Sequence, residues 1–106
     1  MRLLATVVAL ACAVAAWAGA PEGETLYEQR CRSCHSVAGK GGKMAHLGGT
    51  LDDVGTKHDG KWLAGYLRNP TGTMPGANMP KITLDDRELD DLVAYLETLN
   101  GPAPAR

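Results

Sequence analysis

The chain has 106 residues, a formal net charge of −1 and 44% hydrophobic residues, which suits one small domain. That near-neutral balance does not point to a nucleic-acid binder. With 13 glycines, five aromatic residues and no phenylalanine, so short a chain buries little on its own, and a bound apolar body would complete it.

In chain order, the first stretch reads as a secretory signal peptide: a basic start at Arg2, an apolar run from Leu3, then small residues. Ala16-Trp17-Ala18 is an A-x-A cleavage site. It divides the chain into a signal peptide, 1–18, and a domain, 19–106, exported to the periplasm. Ala18-Gly19-Ala20 is a second cleavage option. Retention of the run as a short membrane anchor is the second expectation, and lipidation at Cys12 the third.

Gly23 to Cys34 predicts a first helix, with Leu26, Tyr27, Cys31 and Cys34 at helical spacing. It leads into Cys31-Arg32-Ser33-Cys34-His35, the C-x-x-C-H pattern of c-type haem attachment. Two thiols three residues apart share nearly one side of a helical turn, so both can reach the vinyl groups of one haem as thioethers. His35 can then place one ring nitrogen on the iron while the other donates to a backbone carbonyl. Two rival readings stand beside this. A redox dithiol wants a βαβ setting, and none is found. A zinc site wants four ligands, and the third cysteine, Cys12, lies in the segment expected to be removed.

Val37 to Gly49 is glycine-rich and aperiodic, as for a loop wrapped closely round a haem edge. Leu51 to Gly55 predicts a short turn. Asp59 is the expected N-cap of a helix from Gly60 to Arg68, ended by Asn69-Pro70. Thr71 to Pro80 reads as an irregular loop. Thr83 is the expected cap of a last helix, with Asp86 three residues on. Leu89, Leu92, Val93, Leu96 and Leu99 form its apolar face, and Asn100-Gly101-Pro102 stops it. No strand-forming alternation is present, and the tail to Arg106 is expected to be mobile.

With these residues placed, the chain from Gly23 to Leu99 resembles the class I cytochromes c. Gly23, Leu26, Tyr27 and Cys31 match the family's first helix, where a glycine and an aromatic meet the last helix at Leu92 and Tyr95. Tyr66-Leu67-Arg68-Asn69-Pro70 matches the end of the middle helix. Pro75-Gly76-Ala77-Asn78-Met79-Pro80 matches the loop that delivers a methionine to the iron. The resemblance implies an all-α fold, three main helices wrapped round one haem c held by two thioethers, with His35 and Met79 on the iron.

Met79, nine residues beyond Pro70, has the family's spacing. Met74 aligns with an apolar packing position, and Met44 is remote. The resemblance also places the Tyr66 hydroxyl near the Met79 sulfur and offers Trp62 or His58 to a haem propionate. His46 and His58 are alternative sixth ligands, or ordinary loop histidines. The chain departs from the family at Gly48-Gly49-Thr50-Leu51, where Gly49 replaces a proline whose carbonyl accepts from the ligand histidine.

The function implied is a single-haem electron carrier, not an enzyme, cycling Fe(III)/Fe(II) between transient redox-protein partners. Lys40, Lys43, Lys57, Lys61 and Lys81 flank the expected haem loops, and the last helix is acidic. Two alternatives stand beside it: an electron-entry subunit of a larger oxidoreductase, and a haem enzyme or sensor with a labile sixth ligand.

Overall fold

The computed structural model describes residues 19–101; the expected signal peptide and C-terminal tail lie outside the described residues. Helix α1 runs from Ala20 to Arg30. A two-stranded hairpin follows, β1 (Ser36–Val37) and β2 (Lys40–Gly41). Three helices come next: α2 (Ala45–Gly48), α3 (Val54–Lys57) and α4 (Gly60–Arg68). Then come the short α5 (Pro70–Thr73) and the last helix, α6 (Asp86–Glu97). The fold is all-α in character, carried by α1, α4 and α6.

Helices α1 and α6 pack against each other through small and aromatic residues. A Cβ at Gly23 would collide with the Asp91 carbonyl oxygen and sit 2.8 Å from Tyr95 Cβ. Glycine therefore lets the two backbones meet. One turn on, Tyr27 and Tyr95 pack with ring centroids 5.6 Å apart and planes tilted by 41°. Leu89, Leu92, Val93 and Leu96 are buried on α6, as its periodicity predicts, and α4 adds Leu63 and Leu67. With Tyr27 and Cys31 these complete the buried core, a small one for a domain of this length.

Four expectations need correction. Helix α1 begins at Ala20 and stops at Arg30, not Cys34. Cys31 leaves helical geometry (φ −120°, ψ −33°), and the Cys31 and Arg32 amides both donate to the Tyr27 carbonyl. The C-x-x-C-H residues form a separate turn, in which the Cys34 and His35 amides donate to the Cys31 carbonyl.

The last helix is capped by Asp85, not Thr83. Asp85 accepts from the Glu88 amide and Glu88 reaches back to the Asp85 amide, a complete capping box. The Thr83 carbonyl instead accepts from Arg30 on α1.

Asn69 does end α4, but its side chain then caps α5 by accepting from the Gly72 amide at 3.2 Å. The expected loop from Thr71 thus begins as a helical turn, with Pro70 at its first position.

The β1–β2 hairpin is too short to alternate. Its turn residues Ala38 (φ 53°) and Gly39 (φ 76°) both have positive φ, the backbone of a tight two-residue hairpin turn. Asp52 holds it by accepting from the Ala38 amide at 2.6 Å.

Candidate haem site

The C-x-x-C-H turn is clasped by the glycine-rich segment after it. Gly42 N–H donates to the Arg32 carbonyl, Met44 N–H to Ser33 and Gly48 N–H to Cys34, at 2.8, 3.0 and 2.7 Å. A side chain at Gly42 would lie 2.8 Å from Ser33 Cα. At Gly48 it would collide with the Cys34 carbonyl and lie 2.5 Å from His35 Cε1. Close backbone approach is what this loop needs from glycine.

His35 is half-buried. Its Nδ1 lies 3.2 Å from the Gly49 carbonyl oxygen. A carbonyl only accepts, so in the neutral ring Nδ1 carries the proton and Nε2 keeps its lone pair, the nitrogen a metal would take.

His35 faces a cavity of about 190 Å³. Its walls carry Cys31, Leu51, Val54, Leu63, Leu67, Leu96 and Met79, with His58, Trp62 and Tyr66 along one side. A second hollow of about 360 Å³ shares His35, Gly48, Tyr66 and Met79 and adds Cys34, Leu47, Asn78 and Pro80. The two form a slot lined mainly by apolar groups, with thiols from Cys31 and Cys34, an imidazole and a thioether in its walls. That donor set and those walls fit a flat apolar cofactor with a soft metal at its centre.

The structure brings all six expected site residues to this slot. Tyr66 and Met79 line both hollows, and Trp62 lines the first. Met79 packs against the core. Met74 is 43% exposed and Met44 46%, and neither lines the slot, so the apolar packing position expected for Met74 is corrected. His46 is exposed, whereas His58 lines the first cavity.

Sequence reasoning missed how α4 presents its rings. His58 stacks on Trp62 with centroids 3.5 Å apart and planes within 9°, and Trp62 on Tyr66 at 5.0 Å and 10°. The signal was available: the three sit four residues apart, one helical turn each.

The electrostatics bear on the rival readings. Burial pushes the Cys31 thiol up to about 11, opposed by Arg30. A protonated thiol is a poor nucleophile, the reverse of a redox dithiol's attacking cysteine. Among the described residues no group of three or more His, Cys, Asp or Glu side chains is placed to share a metal.

An all-α chain that clasps C-x-x-C-H beside an apolar slot, with a methionine in the same slot, belongs to the haem-carrying class. The comparisons agree: residues 20–100 match the cytochrome c family, and the chain belongs to it. The family's cofactor is covalently bound haem c, and one haem suits a chain of this size. The chain is 35% identical over 79 residues to cytochrome c-551 of Bacillus subtilis (strain 168), covering 74% of this chain and 62% of that protein. It is 30% identical over 97 residues to cytochrome c-type cyt cy of Rhodobacter capsulatus, covering 76% of this chain and 49% of that protein. The chain thus spans between about half and three-fifths of the length of these relatives. No solved structure matches it.

Proposed function

We propose that this chain is an exported single-haem electron carrier, with the haem joined to Cys31 and Cys34 and its iron held between His35 and Met79. A haem c bound there supplies one-electron Fe(III)/Fe(II) exchange. The observation that carries the reading is that His35 and Met79 line one slot, with a C-x-x-C thiol in the wall of each hollow.

The chain's residues do the rest. His35 holds its ring through Nδ1 and offers Nε2. Met79 offers a soft thioether, which favours Fe(II) over a second nitrogen donor. Leu51, Val54, Leu63, Leu67 and Leu96 keep water from the slot, and a site with both axial positions filled by protein leaves no open place for a substrate. Tyr66 and Trp62 wall the methionine side and would contact the cofactor.

Partners are transient redox proteins, a donor and an acceptor. The slot approaches the surface beside Cys34, where Leu47 is 64% exposed. The exposed lysines 40, 43, 57, 61 and 81 suit it to acidic partners, with association that weakens as salt rises. Export rests on the reading of residues 1–18; among the described residues no helix is long and apolar enough to cross a membrane.

A redox-titrated absorption spectrum of the exported protein, followed by acid–acetone extraction, tests this. We expect one reversible one-electron wave, a far-red sulfur-to-iron band in the oxidised form, and colour that stays with the protein. Free extraction of the haem, or carbon monoxide binding to the native ferrous protein, would overturn it.

A further inference from the structure

The residue after Gly48 lies in an unusual backbone region for a different reason. Gly49 has φ 76° and ψ −173°, a region that is essentially glycine-only. Space is not the cause, because a Cβ at Gly49 would meet nothing within 4 Å. What the conformation achieves is the direction of one carbonyl. The Gly49 oxygen lies 3.2 Å from His35 Nδ1 and 3.2 Å from the Ser36 amide nitrogen. The segment is pinned in that pose by a parallel bridge between Ser36 and Thr50 and by the Leu51 amide donating to the Ser36 carbonyl at 2.8 Å.

We propose that Gly49 is the positioning residue of His35: its glycine-only backbone aims one carbonyl at two donors, and this sharing sets how strongly His35 binds iron. The proposal rests on the reading of His35 as an iron ligand. Both bonds lie at the long end of the N–H···O range. A carbonyl divided between two donors polarises the imidazole less than an undivided one would. His35 is then a weaker electron donor, which favours Fe(II). Gly48 makes room for the ring and Gly49 fixes its acceptor. Proline, locked near φ −65°, cannot adopt the Gly49 backbone, so at this place it would break the clamp.

Gly39 supplies the control. It has the same φ of 76° and equally open space around a Cβ, but it sits in the hairpin turn. Holoprotein carrying Gly49→Ala should show His35 Nδ1 proton exchange about tenfold faster, as for loss of one hydrogen bond, and a higher reduction potential. Gly39→Ala should lower stability through the same backbone strain and leave both readouts unchanged. Equal effects of the two variants on the Nδ1 proton and the potential would overturn the proposal.

The unaltered holoprotein gives a test that does not depend on a variant folding. The Nδ1 proton and the Ser36 amide proton should both be protected from exchange. If the His35 ring protons show the hyperfine shift of an iron ligand but Nδ1 is unprotected, the Gly49 assignment alone fails. If the hyperfine shift is absent, the ligand reading and the proposal fall together.

Discussion

Gly23 and Tyr95 touch where α1 crosses α6: a Cβ added at Gly23 would sit 2.8 Å from that of Tyr95, and against the Asp91 carbonyl. Backbone, not the end of a flexible side chain, meets the added methyl. Gly23→Ala should therefore destabilise the protein by about 1–3 kcal/mol, the usual cost of overpacking. Gly65→Ala is the counterpart. Gly65 lies within α4 with nothing within 4 Å of an added Cβ, so alanine there should stabilise by about 0.4–1 kcal/mol. Denaturant midpoints at neutral pH compare the two, and a stabilised Gly23→Ala variant would contradict the close crossing.

Tyr27 is 1% exposed, and its hydroxyl has no hydrogen-bond partner. Tyr27→Phe should leave stability unchanged or raise it by up to about 1 kcal/mol, because an unpaired buried hydroxyl is removed. Tyr27→Ala should cost about 3–5 kcal/mol, as for other buried aromatics. Burial first, then the neighbouring Tyr95, pushes Tyr27 up to about 12 from an ordinary 10.0. The folded state thus holds this proton more tightly than the unfolded one. The associated stability is fully present below pH 10 and is lost as pH rises to about 12. Denaturation midpoints across that window should fall in the parent protein and fall less in Tyr27→Phe.

Met79 and Met74 make opposite predictions. Met79→Ala should keep the haem on Cys31 and Cys34, abolish the far-red band of the oxidised protein and lower the potential, because Fe(II) loses its soft ligand. Met74 is 43% exposed. Met74→Ala should keep the band and cost less than about 1 kcal/mol, well below the range for a buried side chain. Oxidised-state spectra at neutral pH decide between them, and a reversal would move the ligand to the other methionine.

Asp85→Ala should cost about 0.5–2 kcal/mol, since it removes half of the α6 capping box. Thr83→Ala should cost much less, because the bond at that residue is made by its carbonyl, which alanine retains. Thermal melts of the two variants read the difference. A larger loss for Thr83 would restore the cap expected from sequence.

These contrasts show which parts of the molecule were legible in one dimension. Helix α4 was readable to its ends because Asp59 before it and Asn69-Pro70 after it act on adjacent backbone. The apolar face of α6 was readable because burial follows the helical period, and C-x-x-C-H because its chemistry is local. The start of α6 was not: Thr83 with Asp86 and Asp85 with Glu88 are overlapping patterns, and Arg30, more than fifty residues away, occupies the Thr83 carbonyl. The end of α1 was missed because Cys31 and Cys34 keep helical spacing while the backbone between them turns. The clamp on His35 was also out of reach, since the sharing of the Gly49 carbonyl depends on a bridge formed only in the folded chain.

The ring stack along α4 has an optical consequence. The chain has two tryptophans, Trp17 and Trp62, and cleavage after Ala18 would remove the first. Trp62 would then be the sole indole fluorophore, wedged between His58 and Tyr66 in the wall of the slot. A haem beside it would quench its emission by energy transfer. The holoprotein should be nearly dark when excited at the red edge of tryptophan absorption and brighten as the wall of the slot separates from the haem. Local opening around α4 would be visible in that emission before the α1–α6 crossing gives way, with no label added.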